Sequence, residues 1–271
     1  VRRARAAALA LASLPGTALP AAVPDGLAAT PRCEYELVRE LPHRREAFTQ
    51  GLAFDGERLL EGTGLYGRSG LARLDLEGGE VLRETRLPGR YFGEGITVLG
   101  ERVYQLTWRN RKAFAYDRES LEPLAAFALD GEGWGLTHDG ARLVLSDGTP
   151  VLRFLDPRTF SETGRVTVRA DGQPVRGLNE LEWVGGEVLA NLWPTDALVR
   201  IDPGDGRVLG WLDLADLRRR QGPLAPEAVA NGIAYEPRAR VLLVTGKLWS
   251  RIYSIRPAGQ GCGALADRVG P

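Results

Sequence analysis

The sequence has little lysine, histidine or cysteine, and each shortage narrows what the chain can be. Among 35 basic residues only Lys112 and Lys247 are lysine, so each marks a place where a compact ammonium stands and guanidinium is the rule. His43 and His138 are the only histidines, too few for a three-histidine zinc site. Net charge is absent as well, with 35 Lys+Arg against 35 Asp+Glu. No basic field therefore exists to attract nucleic acid or an anionic membrane surface. No apolar run is long enough to cross a bilayer, and amphipathic helical periodicity is nearly missing.

The first residues have a composition of their own. Arg2, Arg3 and Arg5 form a basic start, residues 6–14 are apolar, and small residues with Pro15 and Pro20 follow. That is the pattern of a secretory signal peptide, so residues 1–30 are expected to be a leader or a disordered extension outside the fold. The protein is then expected to be secreted or periplasmic. The two cysteines, Cys33 and Cys262, stand near opposite ends of what remains. In an exported chain an even pair reads as a disulfide, the plain alternative being two unrelated buried thiols.

Five stretches are versions of one phrase: Thr49-Gln50-Gly51-Leu52, Gly93-Glu94-Gly95-Ile96, Gly133-Trp134-Gly135-Leu136, Leu178-Asn179-Glu180-Leu181 and Ala230-Asn231-Gly232-Ile233. All but the fourth carry glycine in third place, and an aliphatic residue always follows. The second place varies: Gln50, Glu94, Trp134, Asn179, Asn231. After each phrase come a turn such as Asp55-Gly56 or Asp139-Gly140 and a second apolar run, at 58–61, 102–105, 142–145, 187–190 and 241–244. Third and fourth runs complete each unit, and the units recur at intervals of roughly 40–50 residues. Four short strands per unit predict an all-β, five-bladed β-propeller over residues 33–262, with 263–271 a C-terminal tail. The fifth unit stops after three strands. Residues 35–41 can supply the fourth, which also removes an unpaired edge and brings Cys33 beside Cys262. The segment 215–229 is the one helical candidate.

In a propeller the first strand of each blade lines the axis, so the variable places form a ring at one mouth. Phe48, Phe92, Trp108, Trp193, Trp249 and Lys247 fall in loops on the same side. A concave apolar wall with a few convergent polar groups is the usual form of a small-ligand site. Gly62-Thr63-Gly64-Leu65-Tyr66-Gly67 imitates a nucleotide fingerprint, but it joins strand to strand and is discounted.

The motifs FTQGL at 48–52, YFGEGIT at 91–97, WGLT at 134–137, NELEW at 179–183, NLW at 191–193, NGIA at 231–234 and VTGKLW at 244–249 resemble the plant-type glutaminyl-peptide cyclotransferases. The resemblance runs through every blade, over roughly residues 34–256. It implies conversion of an N-terminal glutaminyl residue to pyroglutamate with loss of ammonia. It implies a site lined by Phe48, Gln50, Phe92, Glu94, Trp108, Trp134, Asn179, Trp193 and Lys247, with Glu94 the acid/base. The residues themselves suit that chemistry. Glu94 is the only acid in the ring, Asn179 and Lys247 are candidate oxyanion donors, Gln50 is expected to hold the substrate amide, and Asn231 and Trp249 to complete the lining. Burial raises a carboxylic acid's pKa and a nearby lysine lowers it, an opposition the sequence leaves open. Peptides with N-terminal Gln are the expected partners, the chain is expected to be a monomer, and no cofactor is required, with room in the reading for a structural Ca²⁺ on the propeller axis. One rival is a lactonase-like hydrolase with Ca²⁺ held at the axis by Glu94, Asn179 and Asn231. Another is a non-catalytic propeller scaffold.

Overall fold

The computed structural model describes residues 23–269. Five four-stranded antiparallel sheets form the blades. Blade 1 runs Thr49–Asp55, Arg58–Thr63, Gly70–Leu74 and Val81–Arg86. Blade 2 runs Gly93–Leu99, Arg102–Thr107, Lys112–Asp117 and Pro123–Ala128. Blade 3 has a short inner strand, Leu136–His138, then Leu143–Leu145, Val151–Leu155 and Glu162–Thr167. Blade 4 is Leu178–Val184, Glu187–Leu192, Ala197–Ile201 and Val208–Asp213. Blade 5 is Ala230–Glu236, Val241–Gly246 and Arg251–Ala258, completed by the early strand Glu34–Pro42, which pairs antiparallel with Arg251–Ala258. The first strands of successive blades pack against one another, the fifth returning to the first, so the ring is closed.

Packing blade against blade explains the apolar runs. Gly70–Leu74 and Ala197–Ile201 are buried at every residue, whereas the outermost Val81–Arg86 is exposed along nearly its whole length. A strand covered on both faces reads as a continuous hydrophobic run, and only a half-covered one alternates. The recurrent glycine of the phrase has a steric cause. A Cβ on Gly51 would stand 2.6 Å from Ile96 N, and one on Gly95 would stand 2.6 Å from Leu136 N. The next blade's inner strand could not approach so closely past any other residue.

Blade 4 departs from glycine for a reason. The Glu180 carboxylate reaches across the axis, accepting Leu52 N–H at 3.1 Å and Ile233 N–H at 2.8 Å. It ties blade 4 to blades 1 and 5 and satisfies two buried backbone donors. Glu182 does the same for Tyr235 N–H at 2.8 Å. Burial pushes both carboxyls up, Glu182 to about 8.

The ends of the chain correct two expectations. Within the expected leader, Asp25–Ala28 forms a helical turn and Leu27 is fully buried against blades 3 and 4. The basic start and apolar run lie outside the described residues. The expected tail carries the helix Ala264–Val269, whose Leu265 is buried in the blade 4–5 core. Asp25–Ala28 and Ala264–Val269 thus each pack an apolar side chain against the blades. The 215–229 segment holds the helix Ala215–Arg220, with Leu217 buried in that same core. Cys33 and Cys262 are disulfide-bonded, with Cα atoms 4.4 Å apart across 229 residues of chain. In the chain-entropy model a loop of that length is worth about 5 kcal/mol.

Candidate active site

Antiparallel pairing fixes which loops share a mouth. The start of each inner strand faces the end of the second: Thr49 opposite Thr63, Gly93 opposite Thr107, Leu178 opposite Leu192 and Ala230 opposite Gly246. Phe48 and Phe92, which precede inner strands, therefore share a mouth with Trp108, Trp193 and Lys247, which follow second strands; Phe92 touches Trp108, and Lys247 lies over Phe48. The inner-strand register also slips between Thr49 and Gly51, Gly93 and Ile96, Leu178 and Leu181, and Ala230 and Ile233. Gln50, Glu94, Asn179 and Asn231 fall at these irregularities, and a bulge is how a strand re-aims a side chain. Trp134 lies just before the shortened inner strand of blade 3.

At the floor is a polar chain. Asn231 donates from Nδ2 to Gln50 Oε1 at 3.0 Å and to Thr49 O at 2.9 Å. Gln50 in turn donates from Nε2 to Glu94 Oε1 at 3.1 Å. The ring is thus a relay that ends on the acid. Gln50 bonds both of its ring neighbours through its amide, Asn231 at Oε1 and Glu94 from Nε2. Asn231 is fully buried behind it and belongs to the support, not to the lining. Asn179 is buried, with Oδ1 unpaired among the described residues.

Burial decides the opposition at Glu94. It drives the carboxyl well above its ordinary range, Lys247 pulls it back only in part, and the Glu132 charge adds to the rise. Burial likewise lowers Lys247 to about 8, against the attraction of Glu94. Two groups of opposite type are therefore moved toward each other and toward neutrality, the usual mark of an acid–base site. Lys247 Nζ lies over the Phe48 ring, 5.0 Å from its centroid.

Aromatic side chains make the wall. Phe92 meets Phe48 edge-on at 6.1 Å and Trp108 at 5.5 Å, and Trp134 meets Trp193 edge-on at 5.7 Å. The exposed Tyr66, part of the discounted glycine motif, continues the array against Phe92 at 5.5 Å. Trp193 is 40 % exposed and stands at the entrance. Trp249 corrects the expectation of a wall residue. It has no exposure, donates Nε1–H to Ala228 O at 2.9 Å and packs on Tyr253 in the blade 4–5 core. Two glycines of the false nucleotide motif have packing duties: a Cβ on Gly62 would meet Ile96 Cγ2 at 2.6 Å, and one on Gly64 would strike the Phe92 ring.

Two groups escaped the sequence pattern. Glu132 accepts the indole N–H of both Trp108 and Trp134, at 2.8 and 3.0 Å. His43 is buried between Trp249 O at 2.7 Å and Glu61 Oε1 at 2.9 Å. Thr49 and Arg44 also bond Glu61, at 2.7 and 2.8 Å. Burial opposes an imidazolium there, but the Glu61 carboxylate outweighs it and His43 is raised. Glu61 is lowered to about 2 because His43 and Arg44 overcome its own burial. The cluster latches the closing segment to blades 1 and 5, immediately behind Gln50. Neither residue is isolated in a motif, since each is defined by partners far off in the chain. Among the described residues no three His, Cys, Asp or Glu side chains are grouped to hold a metal, and no helix is long and apolar enough to cross a membrane.

Comparison with known proteins agrees with this arrangement. The family model described as glutamine cyclotransferase matches residues 6–256. The chain is 44 % identical over 228 residues to the glutaminyl-peptide cyclotransferase of Arabidopsis thaliana, a match covering 82 % of this chain and 71 % of that one. The crystal structure of Myxococcus xanthus glutaminyl cyclase superposes with a TM-score of 0.80 at 39 % identity, covering 84 % of this chain and 98 % of the other. A polar relay ending on one buried acid, an aromatic-walled mouth and these likenesses lead to one conclusion: the chain belongs to the glutamine cyclotransferase family.

Proposed function

We propose that this chain converts the N-terminal glutaminyl residue of peptides and proteins to pyroglutamate with release of ammonia, and that Glu94 carries the proton. The observation behind this reading is the buried Glu94, raised toward neutrality and oriented by Gln50 beneath an aromatic mouth. The substrate's α-amine nitrogen attacks its own side-chain amide carbon, forming the lactam C–N bond. The proton released by the amine passes to Glu94. Glu94 then returns it to the amide nitrogen, the old C–N bond breaks and ammonia leaves. An acid raised above its ordinary range by burial is readier to hold the proton between the two halves, and general acid–base catalysis of this kind is worth about 10²–10⁴-fold.

The wall does the rest. A flexible glutaminyl side chain must be curled back on its amine, and holding such a near-attack geometry is worth roughly 7–11 kcal/mol. Phe48, Phe92, Trp108, Trp134 and Trp193 supply rigid surface for that. Lys247 is the donor for the oxyanion, such donors being worth roughly 3–4 kcal/mol each. Asn179 Oδ1, buried and unpaired among the described residues, is the acceptor for a substrate N–H. The scheme uses side chains alone and calls for no metal or cofactor, and it acts as a monomer. The disulfide and the composition of the first residues support export to an oxidising compartment.

The test is direct. The purified protein is incubated with a Gln-leading peptide and with its Asn-leading counterpart, with and without chelator, and the products are weighed by mass spectrometry. The Gln peptide is expected to lose one ammonia in both buffers and the Asn peptide none. An unchanged Gln peptide overturns the reading.

A further inference from the structure

Most of the wall is explained by packing, but one polar group inside it is not. Glu132 precedes blade 3 in a short loop whose next residue, Gly133, bonds back to Trp108 O at 3.2 Å. Its carboxylate side chain is 39 % exposed, so nothing in the core demands it. A single oxygen, Oε2, takes the indole N–H groups of Trp108 from blade 2 and Trp134 from blade 3. The other oxygen faces Arg109 Nε at 3.3 Å, and the Arg109 guanidinium lies 3.9 Å above the Trp108 ring.

The aromatic contacts fall into two groups. Tyr66, Phe48, Phe92 and Trp108 touch in series on one side, and Trp134 with Trp193 on the other. Glu132 is what joins the two. We propose that Glu132 is a positioning residue of the reaction, a single carboxylate oxygen that gathers two wall tryptophans from neighbouring blades and sets the width of the pocket between them. Resting on the cyclase reading above, this assigns the alignment of the glutaminyl side chain to a residue outside the acid–base relay.

The charge of Glu132 has a second consequence. Lys247 and Glu132 are the charged groups that act on Glu94, with opposite signs, and Glu132 opposes its ionisation. A neutral residue at 132 lets Glu94 ionise more easily, so the acid limb of activity moves to lower pH.

Two variants separate the hydrogen bonds from the charge. Glu132→Gln keeps an oxygen for the indoles and loses the charge, whereas Glu132→Ala loses both. Glu132→Ala is expected to lower kcat/KM on a Gln-leading peptide by about tenfold to a hundredfold. Glu132→Gln is expected to recover most of that on the pH plateau, with its acid limb displaced to lower pH. In ¹⁵N-labelled protein two of the six indole N–H resonances should move upfield in Glu132→Ala. The proposal is overturned if Glu132→Ala matches wild type in kcat/KM and indole spectrum. It is overturned equally if both variants lose activity in step with their melting temperature and keep the wild-type acid limb. Wild-type protein with no cyclase activity would sink the functional reading instead, and the indole spectra would still decide whether Glu132 holds the two rings.

Discussion

Replacing Glu94 by glutamine separates proton transfer from everything else the site provides. The side chain keeps its shape, and its amide oxygen can still accept Gln50 Nε2, 3.1 Å away in the parent. What disappears is the ability to take and return a proton. General acid–base catalysis of that kind contributes about 10²–10⁴-fold, or about 2.7–5.4 kcal/mol of barrier, and that is the expected loss in kcat. The wall and the oxyanion donor persist, so a residual rate above the uncatalysed reaction is expected and KM should hardly move. Stability should not fall, because a buried ionisable carboxyl is replaced by a neutral amide with no charge to desolvate. Lys247, which Glu94 holds up, should then deprotonate below its present value of about 8. The assay is ammonia release from a Gln-leading peptide under saturating and limiting substrate, alongside thermal melting. An unchanged kcat in a folded variant would refute the role given to Glu94, and a collapse of the melting temperature would refute the view of it as a tolerated, costly acid.

Further outcomes follow from the same geometry. The kcat/KM profile should be bell-shaped. It falls at low pH as Glu94, raised above its ordinary 4.5, becomes fully protonated, and falls again above about 8 as Lys247 loses its proton; a flat profile would contradict this. Trp134→Ala should raise KM for Gln-leading peptides by roughly tenfold, the loss of one well-packed aromatic contact, and an unmoved KM would remove Trp134 from the wall. His43→Ala breaks a buried charge pair and should cost about 3 kcal/mol, lowering the melting temperature by roughly 10 °C. The sign with pH can be worked out. His43 is raised, so its contribution is complete below pH 6.5 and fades as pH climbs through the folded-state value. Glu61 is lowered, so its contribution is complete above 4.5 and fades toward about 2. The His43→Ala penalty should therefore be largest between those two ordinary values, and a penalty that grows at alkaline pH would disprove the imidazolium. The double variant Cys33→Ser, Cys262→Ser should lose up to about 5 kcal/mol of stability with unchanged kcat at low temperature, because the bond lies away from the mouth.

The repeat carried the architecture in plain view. Glycines spaced blade by blade, aliphatic neighbours and turn dipeptides are local consequences of strands that must pass one another closely, so five blades and the closing role of residues 35–41 could be read in order along the chain. Which acid stands in the ring was equally legible, since Glu94 has no competitor at that place. Residues at the two ends misled, because Leu27 and Leu265 show their purpose only when blades exist for them to cover. Trp249 misled for a related reason: two loop tryptophans that look alike in sequence, Trp193 and Trp249, turn opposite ways, one to the mouth and one to the core.

Partnership across the chain belonged to the tertiary structure alone. Gln50 meets Asn231, His43 meets Trp249, and Glu132 gathers indoles from two blades, and none of these pairings has a local signature. The balance of protonation was of the same kind. Sequence named Glu94 and Lys247 and the opposing effects between them, but desolvation depends on how completely the blades exclude water, and only the closed ring determines that.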